Sequence, residues 1–131
     1  MNYEFQPGRR RGRNKFVGSW QERGWQEITL PFAPNHLIIL LQNGVDSAEF
    51  THQDIAHWCD EFAMADRCGQ LPRESVLFAD IAEDVSAQWD LFLVNTYSLE
   101  QLQILNFSLV RLPTEWFSNW LQSANVLLLR Q

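Results

Sequence analysis

The stretch FTHQDIAHWCDEF, residues 50–62, contains the clearest structural signal in the chain. Thr51 can cap the first turn of a helix, and Asp54 follows where a negative charge favours the positive end of the helix dipole. The apolar residues behind this cap follow at helical spacing and are Ile55, Trp58, Cys59 and Phe62. The pattern predicts an amphipathic helix that begins after Thr51 and ends after Asp66, before the helix-breaking Gly69.

Three later segments also have the signals of helices. One begins near Pro72, one can be capped by Ser98, and one opens at Thr114. The last of these has an aromatic stripe at helical spacing, formed by Trp116, Phe117, Trp120 and Leu121. Such a stripe predicts a helix packed against the core.

Short apolar or alternating segments separate these helices and predict strands. They cover residues 25–30, 36–42, 88–94, 107–112 and 126–129. The second is ambiguous, because a short helix with Gly44 at its C-terminal cap explains the same apolar run. Strands and helices interleave with connections of uneven length, so we predict an α+β fold in which a small mixed or antiparallel sheet is packed by three to four helices.

The charge of the chain is divided between its two ends. Six of its ten Lys and Arg residues lie in the first 23 positions, whereas residues 24–131 contain four basic and fourteen acidic side chains. At 131 residues the chain has room for one domain of ordinary size. We therefore expect residues 1–15 to form a flexible Arg/Gly-rich arm and residues 16–131 to form a single acidic α+β domain.

The histidines and cysteines do not form a recognisable metal or catalytic motif. His52 and His57 are five residues apart on one predicted helix, where they point in different directions, and the chain has no Cys-x-x-Cys pair beside Cys59 and Cys68. We expect His52 to be solvated in the first turn, His57 to lie on the surface and the thiols to remain reduced. The sequence therefore predicts a protein that is not an enzyme and has no metal or cofactor.

Acidic side chains crowd one predicted helix. Asp80 and Glu83 are three residues apart and Asp80 and Asp84 four, so these like charges share a face and repel one another. A solvated helix face and a docking surface for a basic partner both explain such a cluster. Trp20 lies in a polar stretch bounded by glycines, where an aromatic residue can anchor an interface. The candidate partner-binding residues are Arg9, Arg10, Arg11, Arg13, Trp20, Asp54, Asp60, Glu61, Asp80, Glu83 and Asp84.

These features favour a non-enzymatic protein-binding module, such as an adaptor, an assembly factor or an inhibitor, whose acidic body attracts a basic surface of another protein. A specific form of this hypothesis is an immunity-type inhibitor of a basic nuclease toxin. The alternative is a nucleic-acid-binding accessory protein that uses the arm, although the acidic body would repel a polyanion. The arm could also bind the body of a second copy and so form a homo-oligomer, or it could serve only as a solubilising tail.

The hydropathy of the chain predicts no contact with a membrane. Its longest apolar run is residues 37–41, far short of the roughly 20 residues that a membrane-spanning helix needs. The basic N-terminus lacks the apolar stretch of a secretory signal. We therefore expect the protein to be cytoplasmic.

Overall fold

The structure is a computed structural model that describes residues 20–46 and 49–130. Six α-helices and one 3₁₀-helix make up most of these residues. The helices are α1 (Pro34–Asp46), α2 (His52–Arg67), α3 (Arg73–Val76), α4 (Ala79–Thr96), α5 (Leu99–Ile104), the 3₁₀-helix (Phe107–Leu109) and α6 (Thr114–Leu129). Neither described range contains a β-strand. The predicted α+β fold with a small sheet is therefore wrong, since the described part of the body consists of helices and of irregular segments that connect them. The arm predicted at residues 1–15 lies outside the described residues.

The helix predicted after Thr51 is confirmed as α2. The Thr51 Oγ1 atom accepts a hydrogen bond from the Asp54 N–H at 3.0 Å, as the capping pattern predicted. The four apolar residues of the predicted face are all buried and are Ile55, Trp58, Cys59 and Phe62. Because α2 packs against α4, α1 and the 3₁₀-helix, it lies at the centre of the fold.

The strand predicted at residues 88–94 is instead the C-terminal half of α4. The predicted alternation placed Trp89, Leu91 and Leu93 on one buried face, but Leu91 is 50% exposed. The buried residues of α4 recur every three or four positions, which is the helical period, and include Ala82, Val85, Trp89 and Leu93. A short apolar segment fits both periods, and the longer helical register from Ala79 onward determines the structure.

The strand predicted at residues 36–42 is also helical, as part of α1. Pro34 is the first helical residue, a position that suits its fixed φ and its missing N–H. The helix continues through Gly44 to Asp46, so Gly44 is not a terminal cap. Its role is steric, because a Cβ atom at Gly44 would overlap the Phe117 ring of α6. The glycine allows α1 and α6 to pack closely.

The two remaining strand predictions downstream of α5 are wrong for a similar reason. Residues 126–129 are the last turn of α6, which continues the buried stripe of Phe117, Trp120 and Ala124. Residues 107–112 begin with the 3₁₀-helix and continue without a strand. Both segments are too short to reveal their period without the helix or turn that precedes them.

Residues 20–33, which we call the strap, lie across the helices and contain neither helix nor strand. This range includes the strand predicted at residues 25–30. Ile28 is buried, and Leu30 and Phe32 pack against the core. Side chains of the helices hold its backbone, since Trp58 Nε1 donates to the Leu30 carbonyl at 3.0 Å and Ser75 Oγ donates to the Phe32 carbonyl at 2.9 Å. The strap therefore docks through side-chain contacts rather than by joining a sheet.

Candidate functional site

Helices α2 and α4 run antiparallel and support the strap. Ser86 Oγ of α4 donates to Asp60 of α2 at 3.2 Å, and Arg67 at the end of α2 lies 3.8 Å from Glu83 near the start of α4. The residue numbers thus run in opposite directions along the two helices. Side chains from both helices and from the strap converge on one buried polar cluster.

The carboxylate of Glu22 is the centre of this cluster. Glu22 belongs to the strap and is only 4% exposed. Its Oε2 atom accepts hydrogen bonds from His57 Nε2 at 2.8 Å and from Gln53 Nε2 at 3.0 Å, and Trp89 Nε1 lies 3.1 Å from each carboxylate oxygen. Donors from α2 and α4 therefore bind one carboxylate that the strap places between the two helices. These hydrogen bonds compensate for the cost of burying the charge of Glu22.

Gln53 has an orientation that this cluster imposes. Its Nε2 atom donates both to Glu22 and to the Arg23 carbonyl, the latter at 2.8 Å, so both of its neighbours are acceptors. The buried Oε1 atom of Gln53 is left without a hydrogen-bond partner in the part of the chain that the structure describes. The amide thus fixes the strap at two consecutive residues at the expense of one buried acceptor.

His57 lies between the buried cluster and the surface. The Trp25 ring stacks flat on its imidazole, with the ring centroids 4.0 Å apart and an interplanar angle of 4°. Burial tends to lower the pKa of His57, but the charge and hydrogen bond of Glu22, together with the charges of Asp60 and Asp90, outweigh it and raise the pKa above the usual 6.5. Negative groups from three elements thus favour an imidazolium ion at this point.

The side chain of Arg23, the residue after Glu22, attaches the strap to the end of α5 and to the 3₁₀-helix rather than to α2 and α4. Its guanidinium donates to the carbonyls of Gln103 and Leu105 at 2.9 and 3.0 Å and lies 5.1 Å from the centroid of the Phe107 ring. These carbonyls belong to the last turn of α5 and the residues after it, where a cation interacts favourably with the helix dipole. Consecutive residues of opposite charge therefore attach the strap to different helices.

Three carboxylates of α2 and α4, those of Asp60, Glu61 and Asp90, lie close to His57, and Glu27 of the strap lies close to Glu61. We call these four residues the acidic face. Partial burial raises the pKa of Glu61, and the neighbouring charges of Glu27 and Asp60 raise it further, whereas His57 acts in the opposite direction. The raised pKa of Glu61 therefore reflects burial first and, after it, repulsion among these groups. A cation that approached the acidic face would relieve part of it.

The predicted partner-binding residues fall into several environments. Asp60 and Glu61 belong to the acidic face. Asp80, Glu83 and Asp84 are exposed on the first half of α4, where Asp84 accepts a hydrogen bond from Trp120 Nε1 at 2.7 Å. The structure thus brings Asp60 and Glu61 together with carboxylates that the sequence did not indicate.

Two other predicted residues serve the packing of the strap. Asp54 is 7% exposed, and its Oδ1 atom accepts a hydrogen bond from the Gln26 N–H at 2.8 Å. Trp20 is half-buried and stacks on Phe107, with ring centroids 6.0 Å apart. These contacts leave Asp54 outside the acidic face. The predicted arginines, Arg9, Arg10, Arg11 and Arg13, lie outside the described residues.

His52 is buried, so the prediction that it is solvated is wrong. Its Nδ1 atom accepts a hydrogen bond from the Leu112 N–H at 2.9 Å, and its Nε2 atom therefore carries the proton and donates to the Gly44 carbonyl at 2.9 Å. Burial lowers the pKa of His52 to about 4, assisted by the charge of Arg111. The neutral imidazole joins the end of α1, the start of α2 and the segment before α6.

The remaining candidates for chemistry are the two thiols. Cys59 is buried, and burial raises its pKa, whereas Cys68 is exposed. Within residues 20–46 and 49–130, no three His, Cys, Asp or Glu side chains come together in a group that could hold a metal ion.

The sequence did not indicate Glu22, His57, Glu27 or Asp90 as members of one site. Glu22 lies in the polar stretch bounded by glycines in which only Trp20 was a candidate, and Glu27 lies on the strand predicted at residues 25–30. His57 was predicted to be a surface residue of α2. Their proximity depends on how the strap docks, which no local pattern specifies.

No known protein family, curated protein or solved structure matches the chain. In the part of the chain that the structure describes, every helix is too short or too polar to cross a membrane.

Proposed function

We propose that the protein is a non-enzymatic binding module that docks a basic surface of another protein on its acidic face. The clustering of Asp60, Glu61 and Asp90 around His57, with Glu27 beside Glu61, supports this proposal most directly. Complementary charge across such a contact accelerates association and selects against acidic partners. An inhibitor of a basic nuclease is a narrower form of the same proposal.

The use of the polar groups also supports binding over catalysis. Gln53, His57 and Trp89 all direct a donor at the buried Glu22 carboxylate, and Trp25 covers the His57 ring. These groups hold the strap in place. The acidic face, by contrast, includes the exposed side chains Glu27 and Glu61, which a partner can reach.

A pair of matched variants tests the proposal. The face variant Glu27→Gln/Glu61→Gln removes two charges from the acidic face, and the control variant Glu49→Gln/Glu100→Gln removes two exposed charges elsewhere. Each full-length protein is immobilised, and the proteins it captures from a lysate of the native host are quantified by mass spectrometry at low and high salt. We expect the wild type and the control variant to capture the same basic proteins, and the face variant to lose them. Equal capture by the face variant would contradict the proposal.

The same variants distinguish the nucleic-acid alternative, which depends on the basic residues near the N-terminus. A labelled single-stranded oligonucleotide is titrated with the wild type and the face variant by fluorescence anisotropy. Binding that persists in the face variant, falls steeply with salt and requires residues 1–15 would support the nucleic-acid alternative. Binding of basic proteins without binding of the oligonucleotide would support the acidic face.

A further inference from the structure

The strap is attached to the helices by polar contacts of side chains, and one of these contacts buries a charge. Residues 20–33 have no hydrogen-bonded ladder or helix of their own. Backbone contacts such as that of the Gln26 N–H with Asp54 fix its course, but the Glu22 carboxylate is placed inside the molecule. A buried carboxylate is costly unless hydrogen bonds and an opposite charge compensate for it. Docking of the strap therefore depends on the charge of the side chains that contact the Glu22 carboxylate.

His57 is the group that can supply the opposite charge. Its Nε2 atom lies 2.8 Å from Glu22 Oε2, whereas the other donors to Glu22, Gln53 and Trp89, are neutral. The charged groups around the imidazole are Glu22 from the strap, Asp60 and Glu61 from α2, and Asp90 from α4. Glu27 of the strap lies next to Glu61. All of these groups are acidic, so the charges that act on the ring from residues 20–46 and 49–130 stabilise its protonated form.

We propose that Glu22 and His57 form a pH-sensitive latch, which holds the strap on α2 and α4 while His57 is protonated and loosens it when His57 loses its proton. The inference goes beyond the proposed protein-binding function, because it concerns a contact within the chain and does not depend on any partner. It predicts that the strap opens without unfolding of the helices.

The direction of the pH effect follows from proton linkage. In the docked form the pKa of His57 is raised, and Glu22 contributes to this rise through both its charge and its hydrogen bond. Opening removes the charge and hydrogen bond of Glu22, and it also exposes the ring to water, which removes the burial that lowers its pKa. The pKa of the solvated ring then returns towards its usual 6.5, with the charges of Asp60 and Asp90 screened by water, whereas the pKa of the docked ring lies above 6.5. The open form therefore holds the proton less tightly. The latch is complete below the pKa of the open form and is lost as the pH rises through the pKa of the docked form. Between these two values the opening constant increases up to about tenfold per pH unit.

Hydrogen exchange measured by mass spectrometry on the full chain tests the latch. Exchange of peptides from the strap and from α6 is followed between pH 5.5 and 8.5, and each rate is divided by the intrinsic rate at that pH. We expect protection of the strap to fall within the window that proton linkage sets, by up to about tenfold per pH unit, while protection of α6 stays constant. Constant protection of the strap would overturn the proposal.

Two variants identify the groups responsible. His57→Gln keeps an N–H donor that can reach Glu22 but cannot be protonated, so we expect its strap protection to be independent of pH. The control His36→Gln changes the other histidine that contacts the strap, since His36 Nδ1 lies 2.8 Å from the Pro31 carbonyl but does not contact Glu22. This variant should keep the wild-type dependence. If His57→Gln does not fold, Glu22→Gln provides the same comparison, because it leaves a hydrogen-bonding side chain without the charge. A wild-type dependence in either folded variant would refute the role of the Glu22–His57 pair.

Discussion

Acidification should destabilise the protein through His52, and the size of the effect follows from its contacts. The neutral ring accepts from the Leu112 N–H and donates to the Gly44 carbonyl, so a second proton on Nδ1 would break the first contact and place a charge in the core. The pKa of His52 is lowered from 6.5 to about 4 in the folded protein. The unfolded chain therefore binds a proton at a pH where the folded chain does not.

The stability that depends on the neutral ring is present above pH 6.5 and is lost as the pH falls towards 4. A shift of this size corresponds to about 3 kcal/mol in the free energy of unfolding over the whole range. Between pH 7 and pH 5, above the range in which ordinary carboxylates titrate, the expected loss is about 2 kcal/mol. His57 acts in the opposite direction, because its raised pKa stabilises the fold on the acidic side.

A comparison of variants isolates the contribution of His52. Urea unfolding of the wild type, of His52→Gln and of the control His36→Gln is measured at several pH values between 5 and 7.5. His52→Gln keeps a donor for the Gly44 carbonyl and cannot be protonated, so its stability should fall by about 2 kcal/mol less than that of the wild type and of His36→Gln over this range. Equal pH dependence in all three proteins would show that the neutral His52 ring does not determine acid stability.

Three further predictions concern single positions. Gly44→Ala should lower the free energy of unfolding, because the overlap of the new methyl group with Phe117 costs about 1–3 kcal/mol and exceeds the gain of about 1 kcal/mol in helix propensity. Thermal unfolding measures the net sign, and a stabilised variant would contradict the close packing of α1 and α6. Thr51→Ala should cost about 1 kcal/mol in urea unfolding through loss of the α2 cap, whereas an unchanged midpoint would mean that the cap is unimportant. Alkylation followed by mass spectrometry should modify the exposed Cys68 quickly and Cys59 only on unfolding, and equal rates would refute the burial of Cys59.

The success of the sequence analysis depended on whether several local signals agreed. At α2 the Thr51 cap and the spacing of Ile55, Trp58 and Phe62 indicate the same helix, and the structure contains it. At residues 88–94 the alternation was misleading, because Leu91 is exposed and the register is set by Ala82 and Val85 upstream. At α1, Pro34 lies between the strands predicted at residues 25–30 and 36–42 and is instead the first residue of a helix. Short apolar segments therefore need their flanking residues before their period can be assigned.

The candidate site was less predictable, because its residues are distant in sequence. Glu22 lies 31 residues from Gln53, 35 from His57 and 67 from Trp89. A glutamate in a polar segment is ordinarily exposed, and only the docked strap reveals that this one is buried. The abundance of acidic side chains was evident from composition, but their grouping around His57 depends on the antiparallel pairing of α2 with α4.

The strap connects the two proposals, because it contributes to both the latch and the acidic face. Loss of the proton from His57 has two opposing effects on a basic partner. It makes the acidic face more negative, which favours binding, but it also loosens the segment that holds Glu27 beside Glu61. The first effect requires only that charges lie near one another and weakens with salt, whereas the second requires opening of the strap and persists at high salt. The salt dependence of the pH profile for partner binding therefore reveals which effect is larger, and the non-titrating His57→Gln variant should abolish both.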